Sequence, residues 1–127
     1  MNKIVATFSN GFTDEYKGKR AVKAAWMITE KATGKVLNSG HSQDFATARK
    51  TAENSYEFCV SIEGRLRFFT GNRQYRTADT YRRMFDELRA HGVPCASVHN
   101  AFKVAEAYNA ETRAMKRALV EIEVVAL

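Results

Sequence analysis

The chain has 127 residues, with 20 Lys and Arg against 14 Asp and Glu and a formal charge of +6; that is length enough for one domain with its own core, and a balance that favours polyanions over basic partners. No apolar run approaches the roughly 18 residues of a membrane span, and MNKIVATFSN has neither the long apolar segment nor the small-residue cleavage site of a signal peptide. Cys59 and Cys95 have no metal-ligand spacing and no local histidine partner, so disulfide and zinc chemistry are set aside and reduced core thiols in a cytoplasmic protein are expected.

Pro94 is the only proline, and neither repeats nor low-complexity segments interrupt the chain, so residues 1–127 read as a single domain. Residues 3 to 9 place Ile4, Ala6 and Phe8 on one face at a spacing of two, and residues 21 to 30 do the same with Val22, Ala24, Trp26 and Ile28, which predicts two strands. The stretch between them reads as a loop that carries Asp14, Glu15, Lys17, Lys19, Arg20 and Lys23. Thr33-Gly34 supplies a residue tolerant of positive φ for a tight hairpin, so a third antiparallel strand returns from Val36 to about His41. Asp44 then caps a helix whose apolar face is Phe45, Ala48, Ala52, Tyr56 and Cys59.

A fourth strand is expected at Leu66 to Phe69, ended by Gly71 and Asn72. Thr77 caps a second helix with Ala78, Tyr81, Phe85 and Leu88 on its apolar face, and His91-Gly92 followed by Pro94 stops it. On its other face Arg82 and Arg83 precede Asp86 and Glu87 by four residues, a spacing that satisfies part of their charge within the helix. A short fifth strand follows at Cys95 to Val98, then a third helix lined by Phe102, Ala105, Tyr108, Thr112, Met115 and Leu119, which Asn109 interrupts or restarts. The closing VEIEVVAL either extends that helix or forms a strand; at an exposed sheet edge such a strand would suit a homodimer.

From Arg65 to Arg83 six arginines and no lysine are interleaved with Phe68, Phe69, Tyr75 and Tyr81. Guanidinium groups offer phosphate a fixed fork of donors and stack on flat rings, so nucleic acid is the first partner class this stretch suggests. The same pattern suits a strand whose rings face the core and whose arginines are solvated. His41, His91 and His99 are scattered, without the serine, cysteine or carboxylate arrangement of a nucleophilic site, and no glycine-rich phosphate loop is present.

The order of elements describes an α/β fold, a mixed sheet of about five strands, three antiparallel first, with helices packed on it. With FSNGF at 8 to 12, FFTGNRQY at 68 to 75 and NAETRAMKRAL at 109 to 119, it resembles the ribonuclease H-like superfamily over nearly the whole chain. The resemblance implies two divalent metals held by four carboxylates, but the matching positions carry Asn10, Gly71 or Asn72, and Arg113, leaving only Glu53 as an acid. It therefore implies a noncatalytic domain without metal or other cofactor. Such a domain would bind RNA or an RNA-DNA hybrid through Asn10, Lys19, Arg20, Lys50, Asn72, Arg73, Tyr75, Arg76 and Arg113. Two alternatives stay open. One is a protein-interaction module or inhibitor, from a virus or mobile element, anchored by Phe12, Tyr16, Phe69 and Tyr75; the other is an active metal nuclease in which Asp14, Asp44 and Glu53 converge.

Overall fold

The computed structural model describes residues 3–71 and 76–127, which form two units, Met1–Ile62 with Lys116–Leu127 and Glu63–Met115. Among the described residues the fold is α/β, with five strands in two antiparallel sheets and three α-helices.

The first unit is organised by one strand. β1 (Val5–Thr7) and β2 (Thr13–Glu15) form a hairpin, whereas β3 (Ala24–Glu30) lies between β4 (Val36–Ser42) and β5 (Val120–Ala126) in a separate sheet of order β4-β3-β5. Along β3, Ala24, Ala25, Trp26, Met27 and Ile28 are all at most 5% exposed, so both faces of the strand are covered. Ala24, Trp26 and Ile28 pack with Ala48, Ala52 and Tyr56 from α1 (Phe45–Ser55) and the turn after it; Ala25 and Met27 pack with Ala6 and Phe8 of the hairpin. The small residues Ala48 and Ala52 let the helix backbone approach the sheet closely, and burying side chains such as Trp26 and Ile28 stabilises by about 1.5–3 kcal/mol each. Gly40 faces Trp26 across the ladder, where an added Cβ would lie 2.7 Å from the indole ring.

Local signals set the ends of these elements. Gly34, at φ +73°, closes the β3–β4 turn as the sequence predicts, and the Asp44 carboxylate accepts from the Thr47 N–H to cap α1. The tail takes its strand alternative, pairing antiparallel with β3 from Val120 to Ala126 at the sheet edge. Two expectations are corrected. The first strand does not join the β3–β4 meander, because its ladder partner is β2; and Asp14 and Glu15 lie in that strand, not in a loop. Phe45, placed by its spacing on the apolar face of α1, is 48% exposed.

The second unit holds α2 (Ala78–Ala90) and α3 (Ala101–Arg117, of which the residues through Met115 belong here). Its core joins Phe68, Met84, Leu88, Cys95, Ala101, Phe102 and Ala105. Thr77 and Thr80 form a reciprocal capping box at the start of α2, and at its end the Val93 N–H donates to the Leu88 carbonyl around Gly92 at φ +75°. Of the apolar face expected for α2, Leu88 is buried, Tyr81 and Phe85 are half-buried and Ala78 is exposed; Met84 supplies the other buried position.

Neither strand predicted in this unit forms. Cys95 to Val98 leads into a short 3-10 helix, Val98–Asn100, that runs into α3. Residues 66–69 have the alternation of a strand but a helix for a neighbour. The Asn109 side chain accepts from the Phe68 N–H at 2.9 Å and donates to the Phe68 carbonyl, and the Leu66 N–H donates to the Tyr108 hydroxyl. Asn109 thus leaves α3 unbroken and satisfies two backbone groups that a ladder would otherwise pair.

No helix among the described residues is long and apolar enough to cross a membrane. Both cysteines are free thiols, Cys95 buried and Cys59 half-buried.

Replacing Asn109 by Ala strands the Phe68 N–H and C=O at about 1–3 kcal/mol each, so denaturant titration of Asn109→Ala should show a loss of about 2 kcal/mol or more. The Asp44 cap carries a pH signature. Hydrogen bonds from Thr47 hold its carboxyl below the ordinary value of 3.8, so its contribution is fully present above that value and is lost as pH falls through the lower, folded-state value. The stability difference between the wild type and Asp44→Ala, followed by thermal melts, should therefore be constant near neutrality and vanish in acid.

Candidate nucleic-acid interface

Phe68 is pinned into the core and its neighbour points the other way. Phe68 is 1% exposed and Phe69 83% exposed. The Phe69 ring lies close over Gly71, where an added Cβ would sit 3.0 Å from the ring edge; Gly71 itself adopts φ +65°. The positive φ is what favours a glycine there, since the exposed ring could give by the few tenths of an ångström a Cβ would need. Beside the ring opens a cavity of about 550 Å³ walled by Phe69, Thr70, Met84 and Phe102, with Arg76, Thr80, Arg83 and Glu87 at its polar margin. A second depression on the Arg67 side of the ring is lined by residues 67–71.

Lys103 is the only lysine of Glu63–Met115, against eight arginines, and the structure divides the arginines by task. Arg76 donates to Glu106 at 2.6 Å while its guanidinium lies 4.4 Å from the centroid of the Phe102 ring, itself in edge contact with Tyr81. Its side chain is only 15% exposed, and Glu106 raises its pKa further above the ordinary arginine range. Arg65 repeats the arrangement over Tyr108 at 4.2 Å, with Glu111 and the Thr112 hydroxyl as polar partners. Both are structural ties to α3. Arg82 pairs with Asp86 at 3.6 Å, as the four-residue spacing predicts, but Arg83 makes no such pair with Glu87 or any other acid among the described residues. Arg83 is exposed at the cavity rim.

The residues expected to bind nucleic acid are distributed over both units. Asn72, Arg73 and Tyr75 lie outside the described residues. Arg113 is exposed on α3, and Arg76 is held as described above. In the first unit Lys19 and Arg20 are exposed between β2 and β3, and Lys50 is exposed on α1. Asn10 is exposed too, but its side-chain oxygen accepts from the Phe12 N–H and so shapes the β1–β2 turn beside Gly11 at φ +86°.

The acids considered for metal binding are occupied. Glu53 receives both arms of the Arg117 guanidinium at 3.0 Å each. Asp14 accepts from Ser39 at 3.0 Å and faces the largely buried His41 at 3.6 Å, and Asp44 is the α1 cap. Among the described residues no three His, Cys, Asp or Glu side chains gather as a metal site would require.

The spacing of Arg83 to Glu87 suggested an internal pair, Phe102 read as plain core, and Met84 fell outside the apolar face expected for α2, so none of the three was marked as part of a site. Phe69 was visible as an aromatic anchor, but only the Asn109 clamp gives its direction. Two classes of arginine should separate experimentally. Arg76→Ala and Glu106→Ala should each lower the melting temperature, with a combined effect smaller than the sum because they remove one interaction. Arg83→Ala should leave stability within about 0.5 kcal/mol of the wild type. No family model, no curated protein and no solved structure matches the chain, so its chemistry is read from its own geometry.

Proposed function

We propose that the chain is a noncatalytic nucleic-acid-binding protein, with RNA or an RNA-DNA hybrid as the favoured ligand and the face around Phe69 and Arg83 as its contact surface. The observation that carries this reading is the 83% exposed Phe69 ring, placed over Gly71 beside an exposed arginine with no acidic partner among the described residues. A single exposed ring is ordinary on a protein surface, as Phe58 at 79% exposed also shows; what distinguishes Phe69 is its place at a cavity shared with Arg83. Next to guanidinium groups, such a ring matches the stacking and phosphate contacts of single-strand and loop recognition. Exposed Lys19, Arg20 and Lys50 add sequence-independent attraction from the first unit.

The ribonuclease H-like resemblance enters this proposal through the partner class and not through strand order. Both sheets are antiparallel throughout, where the resemblance implies a mixed one, and residues 66–69 are held by a helix. The noncatalytic part is supported by Glu53, the one acid kept at the four matching positions, whose two oxygens are bound to Arg117. The place of β5 at its sheet edge is the one that pairing between two copies would need.

Filter binding of RNA, hybrid and duplex DNA at two salt concentrations tests the reading. Retention at low salt that declines as salt rises is expected, and Arg83→Ala should flatten the logarithmic salt slope by about 0.7–0.9, because one phosphate fewer is neutralised. Phe69→Ala should weaken binding about tenfold without changing that slope. Failure to retain any polyanion at low salt would transfer the Phe69 surface to a protein partner. Nicking of a hybrid in manganese, absent from a Glu53→Gln control, would overturn the noncatalytic assignment.

A further inference from the structure

The cavity beside Phe69 has features that phosphate binding alone does not use. Its volume of about 550 Å³ falls within the roughly 300–1,000 Å³ of small-ligand sites. Two aromatic residues, Phe69 and Phe102, and the thioether Met84 give it apolar walls, and the polar groups are confined to its margin. Those groups are not equivalent. The Thr80 hydroxyl is used twice within the capping box, accepting from the Thr77 N–H and donating to the Thr77 carbonyl. The Arg76 terminal nitrogen is held by Glu106, yet its Nε–H is buried without an acceptor. Arg83 and Glu87 are exposed, one cationic and one anionic.

We propose that this cavity admits one unpaired nucleobase, stacked on Phe69, with the adjoining phosphate on Arg83 and the polar edge of the base directed to Glu87. The proposal rests on the nucleic-acid reading above and deepens it, since it makes the ligand a single strand or the unpaired bases of a structured RNA. A flat heterocycle with apolar faces and a hydrogen-bonding rim suits apolar walls and a polar margin. Charge is placed to match: Arg76 is already paired with Glu106, so Arg83 is the cation at this margin that is left for the sugar-phosphate chain, with Glu87 as the acceptor beside it. A base within a duplex cannot enter, because its faces are already stacked and its pairing edge is occupied, and extracting it costs a few kcal/mol. Glu87 offers two acceptor oxygens, so guanine, with its ring N1–H and exocyclic amino group adjacent, should be preferred over uracil, which has the single N3–H.

Short oligonucleotides carrying a fluorescent adenine analogue, whose emission reports stacking, test this with the full chain at low salt. Two variants block the cavity by different routes. Met84→Phe pushes a ring into it from the core, and Glu87→Trp covers it from the exposed rim without repacking the core; thermal melts matching the wild type establish that each is folded. The expected result is a change in emission on binding and a preference for single strand over duplex of about tenfold or more. Both should be lost in either folded variant, while retention of duplex falls less than about twofold. Equal affinity for single strand and duplex, or single-strand binding that neither folded variant alters, would overturn the base pocket and leave the nucleic-acid reading standing. Absence of binding to every polyanion would bring down that reading as well.

Discussion

Asn109 holds the backbone of Phe68 by both its N–H and its C=O, and the geometry of the candidate interface follows from that clamp. An amide side chain is suited to the task because it carries donor and acceptor on one planar group, as the backbone of a neighbouring strand does. Fixing the Phe68 backbone drives its ring into the core against Tyr108, at 5.0 Å between centroids. The next side chain points the other way, and Gly71 provides the positive φ that brings the Phe69 ring back over the chain. A polar residue on a helix therefore decides where an apolar ring meets solvent. Structural stability and the proposed binding surface have the same origin here, so substitutions at Asn109 would affect both, whereas substitutions at Phe69 itself would separate them.

The arginines show why residue type alone overstates a binding surface. Arg76 donates to Glu106 and Arg65 lies 3.5 Å from Glu111 while donating to Thr112, each guanidinium lying over an aromatic ring of α3. A planar guanidinium can stack and donate in its own plane at once, which an ammonium group cannot do. The requirement for arginine over lysine that suggested phosphate recognition is thus met inside the protein at these two positions. Arg83 differs from these two: it is exposed and without an acidic partner among the described residues, and it shares a cavity with a ring that is also exposed. Phosphate contacts fix position and ring contacts supply most of the discrimination between paired and unpaired nucleic acid, so the pair of residues matters more than the count of charges.

Much of the first unit was legible because its signals are local. Alternation marked β3, the glycine at position 34 marked the hairpin, and Asp44 marked the start of α1. β2 was not legible, since Thr13-Asp14-Glu15 is short and polar and becomes a strand only through pairing with Val5–Thr7. Residues 66–69 failed differently. Their period of two placed Leu66 and Phe68 on one apolar side, but only Phe68 is buried and Leu66 is 46% exposed; periodicity also carries no information about what lies opposite, and a strand was supplied where a helix stands. The candidate site suffered most, because it depends on partners far apart in sequence, Arg76 with Glu106 and Phe68 with Asn109, that no spacing rule joins.

The acids of the first unit bear on the choice between binding and hydrolysis. Glu53 accepts from Arg117, Asp14 from Ser39 with His41 close by, and Glu123 from the backbone and hydroxyl of Ser9. Each carboxylate has donors that complete its local structure, and in two of the three cases the partner comes from a different strand or helix, so the pair also ties elements together. A divalent ion recruited to any of them would have to displace those donors first, exposing a hydroxyl or a guanidinium to the positive charge of the metal. The guanidinium at Glu53 cannot be deprotonated to make way. That position therefore favours a fixed ion pair over an exchangeable metal ligand.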